Sequence, residues 1–118
     1  MADRIEIYGI SGWGYHGVLA SEKEAGQEFS VDVMIELTRA SLEDDLVHTV
    51  DYSVVAERVY AIIVGESMDL IETVAERIID SCREFSGVAA VEVAVHKPSA
   101  PISVPFRDVV VRIRREFI

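Results

Sequence analysis

The sequence predicts an α+β fold with the element order β-β-α-α-β-β, in which a four-stranded antiparallel sheet carries two helices on one face. Apolar and polar residues alternate in four segments, and this period of two is typical of half-buried strands. Between the second and third segments the period changes to 3.6, which predicts helices. The connections within each strand pair are short, which favours antiparallel pairing. No repeat or linker interrupts the 118 residues, so we expect a single domain, 1–118.

The four predicted strands follow from the alternation. The first begins weakly at Ile5–Ile7 and loosens into the glycine-rich stretch 9–17. The second is the clearest, since every other residue from Phe29 to Leu37 is apolar. The third and fourth alternate in the same way over Val91–Val95 and Val109–Ile113. We expect each of these strands to be half buried.

Two helices are predicted between the second and third strands. Apolar residues at helical spacing from Val55 to Ile63 predict the first helix, with Gly65 as its C-terminal stop. A longer apolar stripe from Ile71 to Phe85 predicts the second helix, which Gly87 would end. The charged residues beside that stripe form a solvated face.

The sheet face opposite the helices combines charged and apolar side chains. It is too apolar for plain solvated surface and too charged for a packed core, and four strands leave two open edges, which proteins commonly cover by pairing with another subunit. We therefore expect an oligomer whose sheets join edge to edge around a polar lumen. The residues expected on this face are Glu6, Glu36, Glu92, Arg4, Arg112, Arg114, Tyr8, Met34, Ala94 and Val110.

The composition excludes several classes of partner. Eleven Lys and Arg residues against 21 Asp and Glu residues give a net charge of −10, which opposes binding to nucleic acid and to anionic membranes. The single cysteine, Cys82, excludes an intrachain disulfide or a cysteine-based zinc site and indicates a reducing compartment. The apolar runs are too short for a membrane span, and the charged residues of Met1–Glu6 do not form a signal peptide. We expect a cytoplasmic protein.

Three histidines raise the question of a metal site. His16, His48 and His96 lie in different segments, without the His-x-His or His-Glu-x-x-His spacing that places two ligands on one face. Hydrogen-bonded structural or surface histidines are the favoured interpretation, and we expect no metal. No nucleophile elbow, phosphate loop or dinucleotide fingerprint is present either.

Four residues could carry chemistry, and each has a plainer structural interpretation. Glu22 lies in the polar stretch 21–27, which we expect to be a solvated loop entering the second strand. Tyr52 stands at the entrance of the first helix, where it would pack or offer a stacking platform. Lys97 ends the third strand beside a loop with three prolines; it would be solvated, or desolvated enough for acid–base chemistry.

The fourth, Glu72, lies at the start of the second helix. With Asp69 as N-cap and Glu72 three residues later, the sequence favours a capping box. The same geometry has a functional interpretation, because a carboxylate beside free N–H groups can hold the planar N–H edge of a guanine-type heterocycle.

Five segments together carry a resemblance to a known family. They are Gly14–Val18, Glu22 with Glu24–Gln27, Thr49–Tyr52, Leu70–Glu72 and His96–Ile102. In order and spacing they closely resemble dihydroneopterin aldolase, a family of folate biosynthesis with the tunnelling (T-) fold, and the resemblance covers essentially the whole chain.

The resemblance implies a retro-aldol cleavage that needs no cofactor and no metal. 7,8-Dihydroneopterin would give 6-hydroxymethyl-7,8-dihydropterin and glycolaldehyde, with C2′ epimerisation to 7,8-dihydromonapterin as an accompanying reaction. The conjugated C6=N5 imine of the pterin accepts the electrons of the broken C1′–C2′ bond, so the reaction requires neither a Schiff-base lysine nor zinc.

The resemblance also implies roles in substrate binding. Glu72 would bind the amino-pyrimidinone edge of the pterin, aided by backbone groups of Leu70 and Ile71, and Glu22 would orient the diol side chain.

For proton transfer the resemblance implies two further residues. Lys97 would move protons through a water near N5 and the hydroxyls. Tyr52, from a neighbouring subunit, would contact the pterin and help protonate the intermediate. The family's sites lie between subunits of a tetrameric ring, and two rings commonly stack into an octamer.

Two alternatives remain at this point. A dihydroneopterin triphosphate 2′-epimerase has the same fold and a comparable lysine, but its triphosphate substrate suits an acidic protein poorly. A non-catalytic pterin- or purine-binding oligomer would retain Glu72 and lose Lys97 or Tyr52, yet both are present.

Overall fold

Four strands lie in one antiparallel sheet, in the order in which they occur along the chain. The structure is a computed structural model that describes residues 3–38 and 44–117. The predicted order is confirmed, with one added helix between the first two strands. The strands are β1 (Arg4–Gly14), β2 (Gln27–Leu37), β3 (Val88–His96) and β4 (Val110–Glu116). The helices are α1 (Ala20–Ala25), α2 (Tyr52–Ile63) and α3 (Ile71–Cys82), and a short 3₁₀ turn spans Leu46–His48.

The hydrophobic core lies between one face of the sheet and the helices α2 and α3. Phe29, Val31, Val33 and Ile35 of β2 are each at most 1% exposed, which confirms the alternation seen in the sequence. The apolar stripes of both helices belong to the same core cluster, so both helices cover one face, as predicted. Helix α2 packs on β1 and β2, and α3 packs on β3 and β4.

The other side of the sheet, here called the open face, carries the expected mixture of charges and apolar groups. The strand register places Glu6, Met34, Glu92 and Arg114 in one row across the four strands. The guanidinium of Arg114 binds the carboxylate of Glu36 over 2.7 Å. Ion pairs across strands therefore hold together part of a face that none of the described helices covers.

Strand β1 continues through the glycine-rich stretch instead of loosening there. After a bulge at Gly9, where φ is 72°, the strand pairs with β2 as far as Gly14. A Cβ on Gly12 would lie 2.8 Å from Val64 Cγ1, and a Cβ on Gly14 would lie 2.6 Å from the carbonyl oxygen of Ile63. The glycines thus let the end of α2 lie directly on the strand.

One helix end differs from the predictions. Helix α2 ends at Ile63 with Val64 as C-cap, so Gly65 follows directly as the predicted stop, whereas α3 ends at Cys82, five residues before Gly87. Gly87, at φ 81°, instead turns the chain into β3. None of the helices among the described residues has the length and apolar character needed to cross a membrane.

Candidate active site

A buried ion pair lies where the end of β3 meets α1. Lys97 Nζ is 2.6 Å from Glu22 Oε2, and the two side chains are 12% and 6% exposed. The expectation that Glu22 is a solvated loop acid is therefore wrong. It lies in the first turn of α1, a six-residue helix in which its carboxylate accepts the N–H of Leu19, the N-cap residue. An acid at this third helical position commonly closes the first turn in this way.

The hydrogen bonds around Glu22 keep its carboxylate ionised. Burial alone raises the pKa of Glu22, but Lys97, the Leu19 N–H and the Gln27 amide outweigh it, so the pKa is lowered. Gly17 leaves the space for this carboxylate, because a Cβ there would lie 2.3 Å from it. The site therefore holds a fixed negative charge beside a lysine ammonium.

Gln27 is a site residue that the sequence reasoning used only as part of a motif. It is 8% exposed, and its Nε2 donates to Glu22 Oε2 over 3.2 Å. Its Oε1 is buried and has no hydrogen-bond partner among the described residues. One signal could have identified it: Gln27 occupies an inward position of the alternation that continues with Phe29 and Val31, where a polar side chain needs a partner.

The start of α3 lies close to this pair but is not built as predicted. Leu70, not Asp69, is the N-cap, and no side chain caps the helix. The carboxylate of Asp69 instead binds Lys23 of α1 over 2.6 Å, so the expected capping box is wrong. Glu72 stands exposed in the first turn, beside backbone N–H groups that have no acceptor within the helix. Ile71, the first helical residue, is buried.

His16 holds the loop before α3 against the loop before α1. It is fully buried; its Nε2 donates to the carbonyl oxygen of Ile63 over 2.8 Å, and its Nδ1 accepts the N–H of Met68 over 3.1 Å. Burial lowers the pKa of His16 despite the opposing hydrogen bond to Ile63, so the ring is neutral. This histidine is structural. Within residues 3–38 and 44–117, no group of three His, Cys, Asp or Glu side chains is suited to a metal ion.

Within one chain, Tyr52 lies away from the pair of Glu22 and Lys97. It is the first residue of α2, 64% exposed, and it lines a cavity of about 500 Å³ beside residues 5–8 of β1. Lys97 follows His96, which pairs with Ser30 of β2, and Ser30 in turn pairs with Ser11 of β1. Because Tyr52 lies beside residues 5–8 of β1 and a strand rises about 3.3 Å per residue, Tyr52 and Lys97 lie about 10 Å or more apart along the sheet. The structure thus unites Glu22 and Lys97 beside the start of α3 and leaves Tyr52 elsewhere.

A family model described as dihydroneopterin aldolase matches residues 5–114, which is most of the chain. The chain belongs to the dihydroneopterin aldolase family. The resemblance stated from the sequence is thereby confirmed, and with it the class of enzyme, an aldehyde-lyase of folate biosynthesis.

Individual members of the dihydroneopterin aldolase family are similar over nearly the full length. The enzyme of Streptomyces coelicolor is 51% identical over 115 residues, which cover 96% of this chain and 97% of the relative. A candidate dihydroneopterin aldolase from Vibrio cholerae has a structure with a TM-score of 0.87 at 25% identity, covering 99% of both chains. The Escherichia coli enzyme, solved with neopterin, has a TM-score of 0.81 at 24% identity, covering 96% of this chain and 98% of the other. The tunnelling fold is confirmed for the single chain.

Proposed function

We propose that this protein cleaves 7,8-dihydroneopterin into 6-hydroxymethyl-7,8-dihydropterin and glycolaldehyde, without a metal or a cofactor. Its Streptomyces relative, named for this activity, supports the proposal at 51% identity. The structural observation that carries it is the buried pair of Glu22 and Lys97 beside the open first turn of α3. This pair offers a lysine for proton transfer and a fixed carboxylate, which are the groups that a retro-aldol reaction on a pterin requires.

Glu72 binds the amino-pyrimidinone edge of the pterin in this proposal. Its carboxylate is exposed at the start of α3 and can accept two parallel hydrogen bonds from the ring N–H and the amino group. Backbone groups of Leu70 and Ile71 meet the remaining polar atoms of that edge, since the first turn of a helix leaves N–H donors free.

Lys97 moves the protons of the reaction, through a water between the diol and N5. Removal of the 2′-hydroxyl proton breaks the C1′–C2′ bond, the electron pair passes into the C6=N5 imine, and glycolaldehyde leaves. Protonation at C1′ then gives the hydroxymethyl product. Glu22 orients the diol and holds the ammonium of Lys97 at 2.6 Å. Re-formation of the bond on the other face gives 7,8-dihydromonapterin, so we propose epimerisation as a side reaction.

Tyr52 reaches the pterin from a neighbouring subunit in this proposal. Its separation from Lys97 within one chain supports this, as do the outer edges of β1 and β4, which pair with no other strand among residues 3–38 and 44–117. Residues 1–118 then act as one domain, several copies of which pair edge to edge into a barrel, as a tetramer or a stacked octamer. A reducing, cytoplasmic location agrees with the free, buried thiol of Cys82.

The decisive experiment is anaerobic incubation with 7,8-dihydroneopterin in the presence of a chelator, followed by chromatographic separation of the products. We expect both glycolaldehyde and 6-hydroxymethyl-7,8-dihydropterin. Dihydromonapterin alone would contradict cleavage and favour the epimerase, and the triphosphate would then be the next substrate. Tight pterin binding with no turnover would favour a binding oligomer.

Lys97→Arg separates chemistry from folding. Arginine at position 97 keeps a positive charge beside the carboxylate of Glu22, but it does not release a proton near neutral pH. We expect turnover to fall about 10²–10⁴-fold with pterin affinity largely retained. An Arg variant with near-normal turnover would contradict the role of Lys97 in proton transfer.

Glu72→Ala tests the binding role, with Glu76→Ala, one turn later on the same helix, as its matched control. We expect the Glu72 variant to lose about 1–3 kcal/mol of pterin binding free energy in calorimetric titration, because the ring donors lose their acceptor. The control should keep its affinity. Equal losses in both variants would contradict a specific contact.

A further inference from the structure

A chain of hydrogen bonds crosses the open face at the end of the sheet where Lys97 lies. The backbone N–H of Gly9 donates to Asp32 Oδ1 over 2.9 Å. Asp32 Oδ2 accepts from His96 Nε2 over 2.8 Å, and Asp108 Oδ2 accepts from His96 Nδ1 over 2.7 Å. The chain joins β1, β2, β3 and the residues that lead into β4, with one imidazole ring at its centre.

The ring of His96 is an imidazolium in this setting. Ionised carboxylates accept hydrogen bonds and do not donate them, so only the protonated ring can donate to Asp32 and Asp108 together. Burial by itself lowers the pKa of His96, but the hydrogen bonds and charges of Asp108 and Asp32 outweigh it, and the pKa is raised.

Several other titratable groups of this face have partners of their own. Tyr8 of β1 donates its hydroxyl to Glu6 over 2.9 Å. On β4, the guanidinium of Arg112 lies 3.6 Å from the carboxylate of Glu92. The described helices lie on the opposite face of the sheet, so the charge of His96 is set by Asp32 and Asp108.

The contacts of His96 are adjacent to those that hold Lys97. The N–H of Lys97 donates to the carbonyl oxygen of Val109 over 2.8 Å, while the ring of His96 binds Asp108. Residues 97–109 form a loop without helix or strand. The two contacts lie where the far end of this loop comes back beside the end of β3. Successive residues of an extended chain point to opposite faces. His96 therefore lies on the open face while Lys97 reaches Glu22 on the helix side.

We propose that His96 is a positioning residue for Lys97. Its imidazolium, held between Asp32 and Asp108, fixes the end of β3 and the return of the loop, and thereby the position of the Lys97 ammonium on Glu22. The inference rests on the proposed role of Lys97 in proton transfer. His96 itself does not touch the substrate.

The kinetic test compares His96→Gln with Arg114→Gln, which removes another ion pair of the same face. We expect kcat of the His96 variant to fall about 10–100-fold, as small displacements of a reacting group do, with KM changed by less than about 3-fold. We also expect the wild-type rate to decline as the pH rises through the raised pKa of His96, because the neutral ring cannot donate to both carboxylates. This decline should be absent from the pH profile of the His96 variant. The Arg114 variant should keep both kcat and the profile. A His96 variant that is less heat-stable but keeps kcat and profile per folded site would overturn the proposal.

A second readout needs no turnover. The sequence contains two lysines, Lys23 and Lys97, so labelling lysine with ¹³C at Cε gives two NMR signals. In His96→Gln we expect the Lys97 signal and its titration to shift, while Lys23 stays unchanged as the internal reference. An unchanged Lys97 signal would overturn the positioning role. A wild type that fails to cleave dihydroneopterin would instead contradict the proposed function, and the NMR result would still decide where Lys97 is held.

Discussion

His16 and His96 lie on opposite faces of the same sheet, and their surroundings leave the first ring neutral and give the second a positive charge. His16 packs edge-on against Phe29 of the core, with its ring centroid 5.1 Å away, and both of its nitrogens meet backbone groups. The nitrogens of His96 both meet carboxylates on a face open to water. The pKa of His16 is lowered and that of His96 is raised. Burial decides the charge state of His16, whereas the two carboxylate partners decide that of His96.

Removal of the His16 ring should have the largest effect on stability. His16→Ala leaves the carbonyl of Ile63 and the N–H of Met68 unpaired and opens a cavity beside Phe29. We expect a loss of about 3–5 kcal/mol in the free energy of unfolding, measured with urea at a fixed protein concentration. His96→Ala, the matched variant, should lose about 1 kcal/mol. Similar losses of unfolding free energy in both variants would show that the buried ring of His16 stabilises the protein no more than the ring of His96.

Acid should weaken the contribution of His16. Its pKa is below the ordinary value of 6.5, so the folded protein binds fewer protons than the unfolded chain. The stability from the neutral ring is fully present above about pH 6.5 and is lost as the pH falls below it. Unfolding curves across this range test the expectation. The difference in unfolding free energy between the wild type and His16→Ala should shrink as the pH falls below about 6.5, because the variant lacks this contribution. A difference that does not change with pH would assign the effect to another group.

The contribution of His96 should have the opposite sign. Its pKa is above 6.5, so the folded protein retains a proton that the unfolded chain releases. The stability from the ion pairs is fully present below about pH 6.5 and is lost as the pH rises through the raised pKa. NMR titration of the ring, with His16 as the comparison, measures both directions in one sample. A His96 ring that titrates below 6.5 would contradict the doubly paired imidazolium.

The smallest effect is expected from the ion pair between Arg114 and Glu36, which lies on the same face as His96. The Arg114 side chain is 42% exposed, so water and salt screen the pair. Arg114→Gln should change the free energy of unfolding by less than about 1 kcal/mol, and by less still in high salt. A larger loss would indicate that this face is buried in the assembled protein.

The sequence predicted those strands and helices whose apolar residues recur with a single regular spacing, every second residue in a strand or every 3.6 residues in a helix. The strand Phe29–Leu37 and the stripes of α2 and α3 are recognisable because each lies against a core that accepts every second residue or one helical face. Helix α1 was missed because six residues are too few for an apolar stripe. Its stability depends on Glu22, whose partner Lys97 is 75 positions away.

The contacts among the candidate site residues could not be predicted from the sequence. Asp69 is not the N-cap because Lys23, 46 positions earlier, binds its carboxylate instead. His16 and His96 differ in charge through contacts that no local pattern encodes. The roles of Lys97, Glu22, Glu72 and Tyr52 are predictions, and the Lys97 and Glu72 variants described above test two of them.

Gly17 has a consequence for how this protein tolerates mutation. At φ 151°, with the Glu22 carboxylate 2.3 Å from where a Cβ would lie, the position admits no side chain without displacing that carboxylate. Even alanine would move Glu22 away from Lys97. In a library of random variants selected for growth without folate, Gly17 would therefore be as intolerant as an active-site residue, although it supplies no atom to the chemistry.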